Sequence, residues 1–160
     1  MLRLKKINRE NVWNILKLEV SDDQKSFVAT NGISIIEAYT AITENGYAFP
    51  FAIYEDDTPV GFLMIGYDAD DYWYDAPKIV KGNYNLWRLM IDKNYQGKGL
   101  GKEAVRLALD FINTFPCGTG EYCWLSYEAE NDTARQLYNS FGFVETGEKD
   151  GEELIAVLKL

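Results

Sequence analysis

Apolar residues recur along the chain at two spacings, and the changes between them mark its elements. Leu2 and Leu4, followed at the same interval by Lys6, alternate with basic residues and predict a half-exposed first strand. Asn8 then caps a helix in which Val12, Ile15, Leu16 and Leu18 face the core and which ends near Val20. Ser21 to Asn31 is polar and acidic with one phenylalanine, so it reads as a loop. Ser34 with Glu37 forms a capping box for a second helix, stopped by Gly46. Tyr47 to Tyr54 and Val60 to Tyr67 are rich in strand formers and flank Glu55-Asp56-Asp57-Thr58-Pro59, the pattern of an antiparallel hairpin. Pro50 marks the first of these strands as an edge or as bulged.

The stretch from Leu86 to Phe111 carries the most information. Leu86, Trp87, Leu89, Met90 and Ile91 form an apolar run broken only by Arg88, as in a strand covered on both faces, and Arg88 calls for an acidic neighbour. Asp92, Lys93 and Asn94 end it. Gln96-Gly97-Lys98-Gly99-Leu100-Gly101 then places a glycine at every other position, so its backbone can approach a ligand closely. Leu100, Ala104, Val105, Ala108, Leu109 and Ile112 follow at helical spacing. The free N–H groups of that first turn, at the positive end of the helix dipole, form an anion site suited to phosphate, with Lys98 and Lys102 adding charge. Both a Walker A loop and a dinucleotide fingerprint fail on spacing, since the glycines read G-x-G-x-G and Glu103 follows Lys102.

Tyr122 to Tyr127 is another strand. Asn131 or Asp132 caps a short helix with Ala134, Leu137 and Tyr138 on one face, and Gly142 ends it. Phe143, Thr146 and the run from Leu154 to Leu160 supply two closing strands about a Lys149-Asp150-Gly151 turn.

At 160 residues the chain has the length of one domain, residues 1–160, and 47% hydrophobic with 26% charged residues is globular in character. No apolar run approaches the ~18 residues of a membrane span, and Met1 to Asn11 lacks the apolar region of a signal peptide, so a cytoplasmic location is expected. Cys117 and Cys123 are too few for a disulfide framework, and without histidine a Cys/His zinc site is excluded, so no metal is expected. The net charge of -9 repels nucleic acid and anionic membrane and attracts cations, although solubility alone would also account for it. Asp68, Asp70, Asp71 and Asp75 interleave with Tyr72, Trp73 and Tyr74, which reads either as an amine-binding lip or as a loop anchored by its aromatics.

Gln96, Gly99 and Gly101 match the pyrophosphate loop of the GNAT family of N-acetyltransferases: Gln or Arg, two residues, Gly, one residue, Gly or Ala. Asn131, Ala134, Tyr138 and Gly142-Phe143 occupy the places of the family's second motif, so the chain resembles that family from Leu86 to Thr146 by motif and throughout by order of elements. It is similar in particular to the branch of small bacterial spermine/spermidine acetyltransferases, through the Tyr95 to Lys102 run and Leu137-Tyr138 before Phe141-Gly142-Phe143. The resemblance implies an α/β (α+β) fold: a mixed, twisted sheet of about seven strands, flanked by about four helices, that splays between its fourth strand (83–92) and its fifth (122–128).

It further implies acetyl-CoA as cosubstrate, its pyrophosphate on the N–H groups of Gly97, Lys98, Gly99, Leu100, Gly101 and Lys102, and its pantetheine paired like a strand with Leu89, Met90 and Ile91. Asn131, Ala134 and Tyr138 complete the coenzyme's surroundings, and a backbone N–H near Met90 would steady the oxyanion. Tyr138 corresponds to the family's general acid. The base is a carboxylate, a tyrosine or a water chain, with Glu128, on the same alternating face as Ser126, as its candidate. Cys117 and Cys123 lack a histidine partner and read as packing residues. The implied acceptor is a small-molecule amine, a polyamine first, bound by Asp68, Asp70, Asp71, Tyr72, Trp73 and Asp75. An amino acid, an antibiotic or a protein N-terminus is the alternative acceptor, and a coenzyme A-binding module without turnover is the alternative class. A homodimer is consistent with the family.

Overall fold

The structure, a computed structural model, describes residues 1–160. In chain order its elements are β1 (Leu2–Lys6), α1 (Val12–Lys17), α2 (Asn31–Thr43), β2 (Tyr47–Glu55), β3 (Thr58–Tyr67), β4 (Tyr84–Ile91), α3 (Leu100–Ile112), β5 (Tyr122–Tyr127), α4 (Asp132–Asn139), β6 (Val144–Asp150) and β7 (Glu153–Lys159), with single 3-10 turns at Asp22–Gln24 and Lys78–Val80. The strands form one sheet in the order β1-β2-β3-β4-β5-β7-β6. All neighbours are antiparallel except β4 and β5, which are parallel and joined through α3, as a parallel pair needs a crossover connection.

Strand alternation sorts the side chains onto two faces. On one, Leu63, Ile65, Leu86, Leu125 and Ala156 pack with Ala104, Val105, Ala108 and Ile112 of α3, and Ala134, Leu137 and Tyr138 of α4 lie against the same cluster. On the other, Ala52, Phe62, Met64 and Met90 pack with Ile15 of α1 and with Ala38 and Ala41 of α2. A smaller cluster of Val80, Trp124 and Ile155 is covered by Trp73.

Several expectations from the sequence need correction. α2 starts before the expected capping box: Thr30 is its cap, with Oγ1 accepting from the Ile33 N–H at 3.2 Å. Ser34 is turned into the core and Glu37 is engaged elsewhere, so the two never meet. Gly46 lies beyond the end of α2, and Asn45 adopts the left-handed conformation there, with φ of 61°. Leu16 is exposed instead of buried, and Asn8 organises the turn before α1 by accepting from the N–H groups of Glu10 and Asn11. β2 is an inner strand, yet its pairing with β1 runs only from Phe51 to Glu55, so Pro50 lies where that side has no partner. The irregularity in the β2–β3 pairing lies opposite Ile53 and Tyr54, where Val60 of β3 is the extra residue, so β2 itself is not bulged at Pro50. The closing hairpin turns at Gly151-Glu152, one step later than expected, with Asp150 opposite Glu153.

Candidate active site

The site begins with a failure of pairing. β4 and β5 meet only at Tyr84 with Cys123 and at Asn85 with Trp124. Past that point β4 continues to Ile91 bonded to β3 alone, and β5 continues to Tyr127 bonded to β7 alone. The facing edges therefore carry N–H and C=O groups without a strand partner. β4 is also bulged: Arg88 pairs with Met64 and Leu86 with Ile65, leaving Trp87 as the extra residue. Trp87 and Arg88 both lie on the α2 side, where Arg88 meets Glu37 through Nη2 at 3.0 and 3.2 Å. That pair accounts for the charge within an apolar strand. The gap opens into a cleft of about 700 Å³ that passes from Asn131, Ala134 and Tyr138 on the α4 side to Asp70, Trp73 and Glu153 on the other.

The glycine turn lies at the surface beside this cleft, outside its walls. Gly97 and Gly99 both have φ of 79°, and Gly99 is the residue that leads into α3. Glu103 provides the first backbone N–H of α3 to find a carbonyl, that of Gly99 at 3.3 Å; those from Gly97 to Lys102 donate to nothing in the protein. The helix dipole and these free donors together make an anion cradle. Gln96 braces the cradle without entering it, its Nε2 donating to the Ile91 carbonyl at 2.9 Å and to Gln24 Oε1 at 2.8 Å. Lys98 is exposed with its Nζ 5.4 Å from the Tyr95 ring centre, and Lys102 is exposed too. A Gly99→Ala change is expected to cost about 1 kcal/mol in stability and to weaken coenzyme A binding about tenfold, measured by calorimetric titration, because a left-handed residue with a Cβ is strained and its donors are displaced.

The first turn of α4 is fixed by Asn131, whose Oδ1 accepts from the Ala134 N–H at 3.3 Å. That places Tyr138 over the gap, stacked on Tyr127 with ring centres 6.2 Å apart and edge-on to Phe143 at 5.8 Å. The Tyr127 hydroxyl donates to Glu145 Oε1 at 2.8 Å, and Arg135 holds the same carboxylate at 2.7 and 2.9 Å. Tyr127 is thereby a fixed platform, its own pKa pushed up to about 12 by burial and then by Glu145. The Tyr138 hydroxyl bonds to no protein atom, and burial holds its pKa above the ordinary phenol value. Leu89 lines the cleft, while Met90 and Ile91 are buried and could meet a ligand only through their backbone edge. Cys117 and Cys123 are both free; burial raises the first and pushes the second up to about 12, so neither is a nucleophile at neutral pH.

The acidic loop after β3 divides in two. Asp68, Asp70, Tyr72 and Trp73 line the cleft; Asp71 and Asp75 do not. Most of its carboxylates are occupied in holding the loop: Asp68 Oδ1 accepts from the Gly82 N–H, Asp70 Oδ1 from those of Tyr72 and Trp73, and Asp71 Oδ2 from Asn45 Nδ2 at 2.7 Å. The Trp73 ring rests 6.2 Å from that of Trp124, so the aromatic anchor is real. Glu128 lines the cleft just past the end of β5. Asp150, which the sequence places in a turn, and Glu153, to which it assigns no role, line it as well. The signal for them was register: with Tyr127 opposite Leu154, the next position sets Glu128 against Glu153.

Burial raises the pKa of Asp150 and of Glu153, the latter also through Asp150 and Glu128. An acid raised in the folded state costs stability once it is ionised, a cost present above its folded pKa and gone below the unfolded value near 4. The Asp150→Asn, Glu153→Gln protein is therefore expected to melt higher than wild type at pH 7, with the two curves converging towards about pH 4 in a thermal unfolding series.

The model of the acetyltransferase (GNAT) family matches residues 9–143. The chain belongs to this family. As a GNAT protein it is an acetyl-CoA-dependent N-acetyltransferase, and the free amides of Gly97 to Lys102 with the unpaired edge of β4 suit a pyrophosphate and an extended amide-bearing arm. It is 31% identical to a spermine/spermidine N(1)-acetyltransferase of Bacillus subtilis (strain 168) over 161 residues, 96% of each chain. A probable spermine N(1)-acetyltransferase of Bacillus subtilis subsp. natto is 32% identical over 96% of each. Among solved GNAT-like structures, the aminoglycoside acetyltransferase AAC(6')-Ib in complex with coenzyme A superposes with a TM-score of 0.76 at 15% identity, covering 99% of this chain and 95% of its own.

Proposed function

We propose that this N-acetyltransferase transfers acetyl to a primary amine of a polyamine. The supporting observation is the charge of the cleft: Asp68, Asp70, Glu128, Asp150 and Glu153 line it against Lys25 and Arg88, and Arg88 is already paired with Glu37. Such a surface draws in a polycation. The name shared by the full-length relatives points the same way.

Acetyl-CoA supplies an acyl thioester, and the chain's own residues handle two protons. The acceptor amine, with an ordinary pKa of about 10, must lose one before it attacks; Glu128, at the mouth of the gap, takes it directly or through water. The departing sulfur, with an ordinary thiol pKa of about 8.5, leaves more readily when protonated, and Tyr138 Oη delivers that proton. A phenol whose pKa is raised stays protonated at neutral pH, the state a general acid needs. Donors on the free edge of β4, where the bulge displaces the backbone, steady the carbonyl oxygen as charge builds on it.

The test is release of free coenzyme A with spermidine, spermine, amino acids and an aminoglycoside in parallel, against a blank without acceptor. Turnover selective for the polyamines is expected. Preference for another amine removes the polyamine reading, and no turnover despite a higher melting temperature with acetyl-CoA favours a binding module.

A further inference from the structure

The loop after β3 is a poor place for the acceptor's charges, since its cleft-lining carboxylates already accept backbone N–H groups. The carboxylates that β5 and the β6–β7 hairpin bring to the cleft differ. Glu128, Asp150 and Glu153 make no side-chain hydrogen bond and no ion pair within the protein, and all three line the cleft. Two registers bring them together: Tyr127 opposite Leu154 sets Glu128 against Glu153, and Asp150 pairs with Glu153 across the β6–β7 turn. Because Tyr127 and Leu154 face the main core, alternation turns Glu128 and Glu153 to the other face of the sheet, and both line the cleft there.

A second, neutral feature of the same cleft also lacks a donor. Asn85, 9% exposed, lines it where β4 parts from β5, and its Oδ1 accepts no hydrogen bond. A buried acceptor left without a donor costs free energy that a bound N–H would recover. Its neighbour Trp124 lies four residues before Glu128 on β5, a separation of about 13 Å along a strand. Acceptors therefore stand at both ends of a track along β5, with the Trp124 ring beside Asn85 and Ser126 further along towards Glu128 on the cleft wall. Arg88 is the basic group that acts on Glu153 here, and its pairing with Glu37 draws its charge towards α2.

We infer that Glu128, Asp150 and Glu153 form the ammonium seat that selects an elongated acceptor carrying more than one positive charge, with the carboxamide oxygen of Asn85 taking an N–H at the far end of the track. This deepens the polyamine reading and rests on it for turnover, although binding can be measured without turnover. Burial raises the pKa of Asp150, and burial, then Asp150 and Glu128, raise that of Glu153 against the opposing pull of Arg88; a bound ammonium would favour the ionised form of both.

The deciding experiment is calorimetric titration of spermidine into the coenzyme A-loaded protein, comparing wild type with the Asp150→Asn, Glu153→Gln variant and with Glu153→Gln alone. The double variant is expected to bind spermidine at least tenfold more weakly and the single variant to fall between, with both losses shrinking as salt is raised. The coenzyme A affinity of each variant reports that it is folded. Equal spermidine affinity in wild type and double variant, or no spermidine binding to wild type at millimolar concentration, would overturn the seat. Binding lost in the variant while wild type acetylates no polyamine would keep the seat and remove the acceptor reading instead.

Discussion

Replacing Tyr138 with phenylalanine is expected to lower kcat about a hundredfold to a thousandfold, with the dissociation constant of acetyl-CoA changed by less than about twofold. The ring would keep its stacking on Tyr127 and its edge contact with Phe143, so packing survives and only the hydroxyl is lost. That hydroxyl has no partner in the protein, so its removal leaves no orphaned donor or acceptor behind. Stopped-flow or steady-state release of coenzyme A reads the effect directly. An unchanged kcat with every accepted amine would withdraw the general-acid role. The pH dependence follows from the same side chain: burial keeps the phenol protonated beyond its ordinary value of about 10, so wild-type kcat should rise with pH through neutrality with no descending limb from Tyr138 below that value.

Gly61→Val is expected to be the most damaging single change to the scaffold. A Cβ at Gly61 would lie 2.4 Å from the Met90 carbonyl oxygen, 3.1 Å from Ile91 Cδ1 and 3.2 Å from Ile53 Cδ1. The first of these is backbone in the middle of the sheet, where no side chain can swing away, so β3 and β4 must separate. A loss of about 3 kcal/mol or more follows, or roughly 10 °C in melting temperature for a chain of this size. Because Met90 lies on the free edge of β4, acetyl-CoA affinity should fall with it. Gly82→Ala is the control: it has φ of 71° but nothing within 4 Å of its Cβ, so only conformational strain of about 1 kcal/mol applies. Thermal unfolding of the two variants side by side separates crowding from strain.

The elements that organise this fold were legible because they repeat locally. The alternating glycines before Leu100, the helical spacing from Ala104 to Ile112 and the Asn131 to Tyr138 motif need no distant residue to be recognised, and each stands where expected. The family assignment followed from these, and with it the splayed sheet. What could not be read depended on partners far along the chain. Ser34 and Glu37 have the spacing of a capping box, but Ser34 is drawn into the core, and Glu37 is claimed by Arg88, which sequence could only assign to some acidic neighbour. The aspartates at 68 to 75 had the composition of a cation site, whereas hydrogen bonding to nearby backbone consumes much of their capacity. Asp150 read as a turn residue and Glu153 drew no reading, because their significance lies in a register between strands, and register is set by pairing that a linear pattern does not reveal.

The parting of β4 from β5 bears on how the molecule comes undone as well as on what it binds. Without a ligand, the sheet is two rafts, β1 to β4 and β5 to β7, bridged by backbone pairing at Tyr84–Cys123 and Asn85–Trp124 and otherwise by the shared core beneath α3 and α4. A ligand lying along the open edges acts as a borrowed strand, so its binding energy enters the folding equilibrium and couples the rafts. Amide hydrogen exchange is expected to slow on the β4 edge from Leu86 to Ile91 when coenzyme A is added, while the outer β1–β2 ladder changes far less. Such a sheet is most cohesive while the enzyme is loaded, and product release is the moment at which its two halves are freest to move.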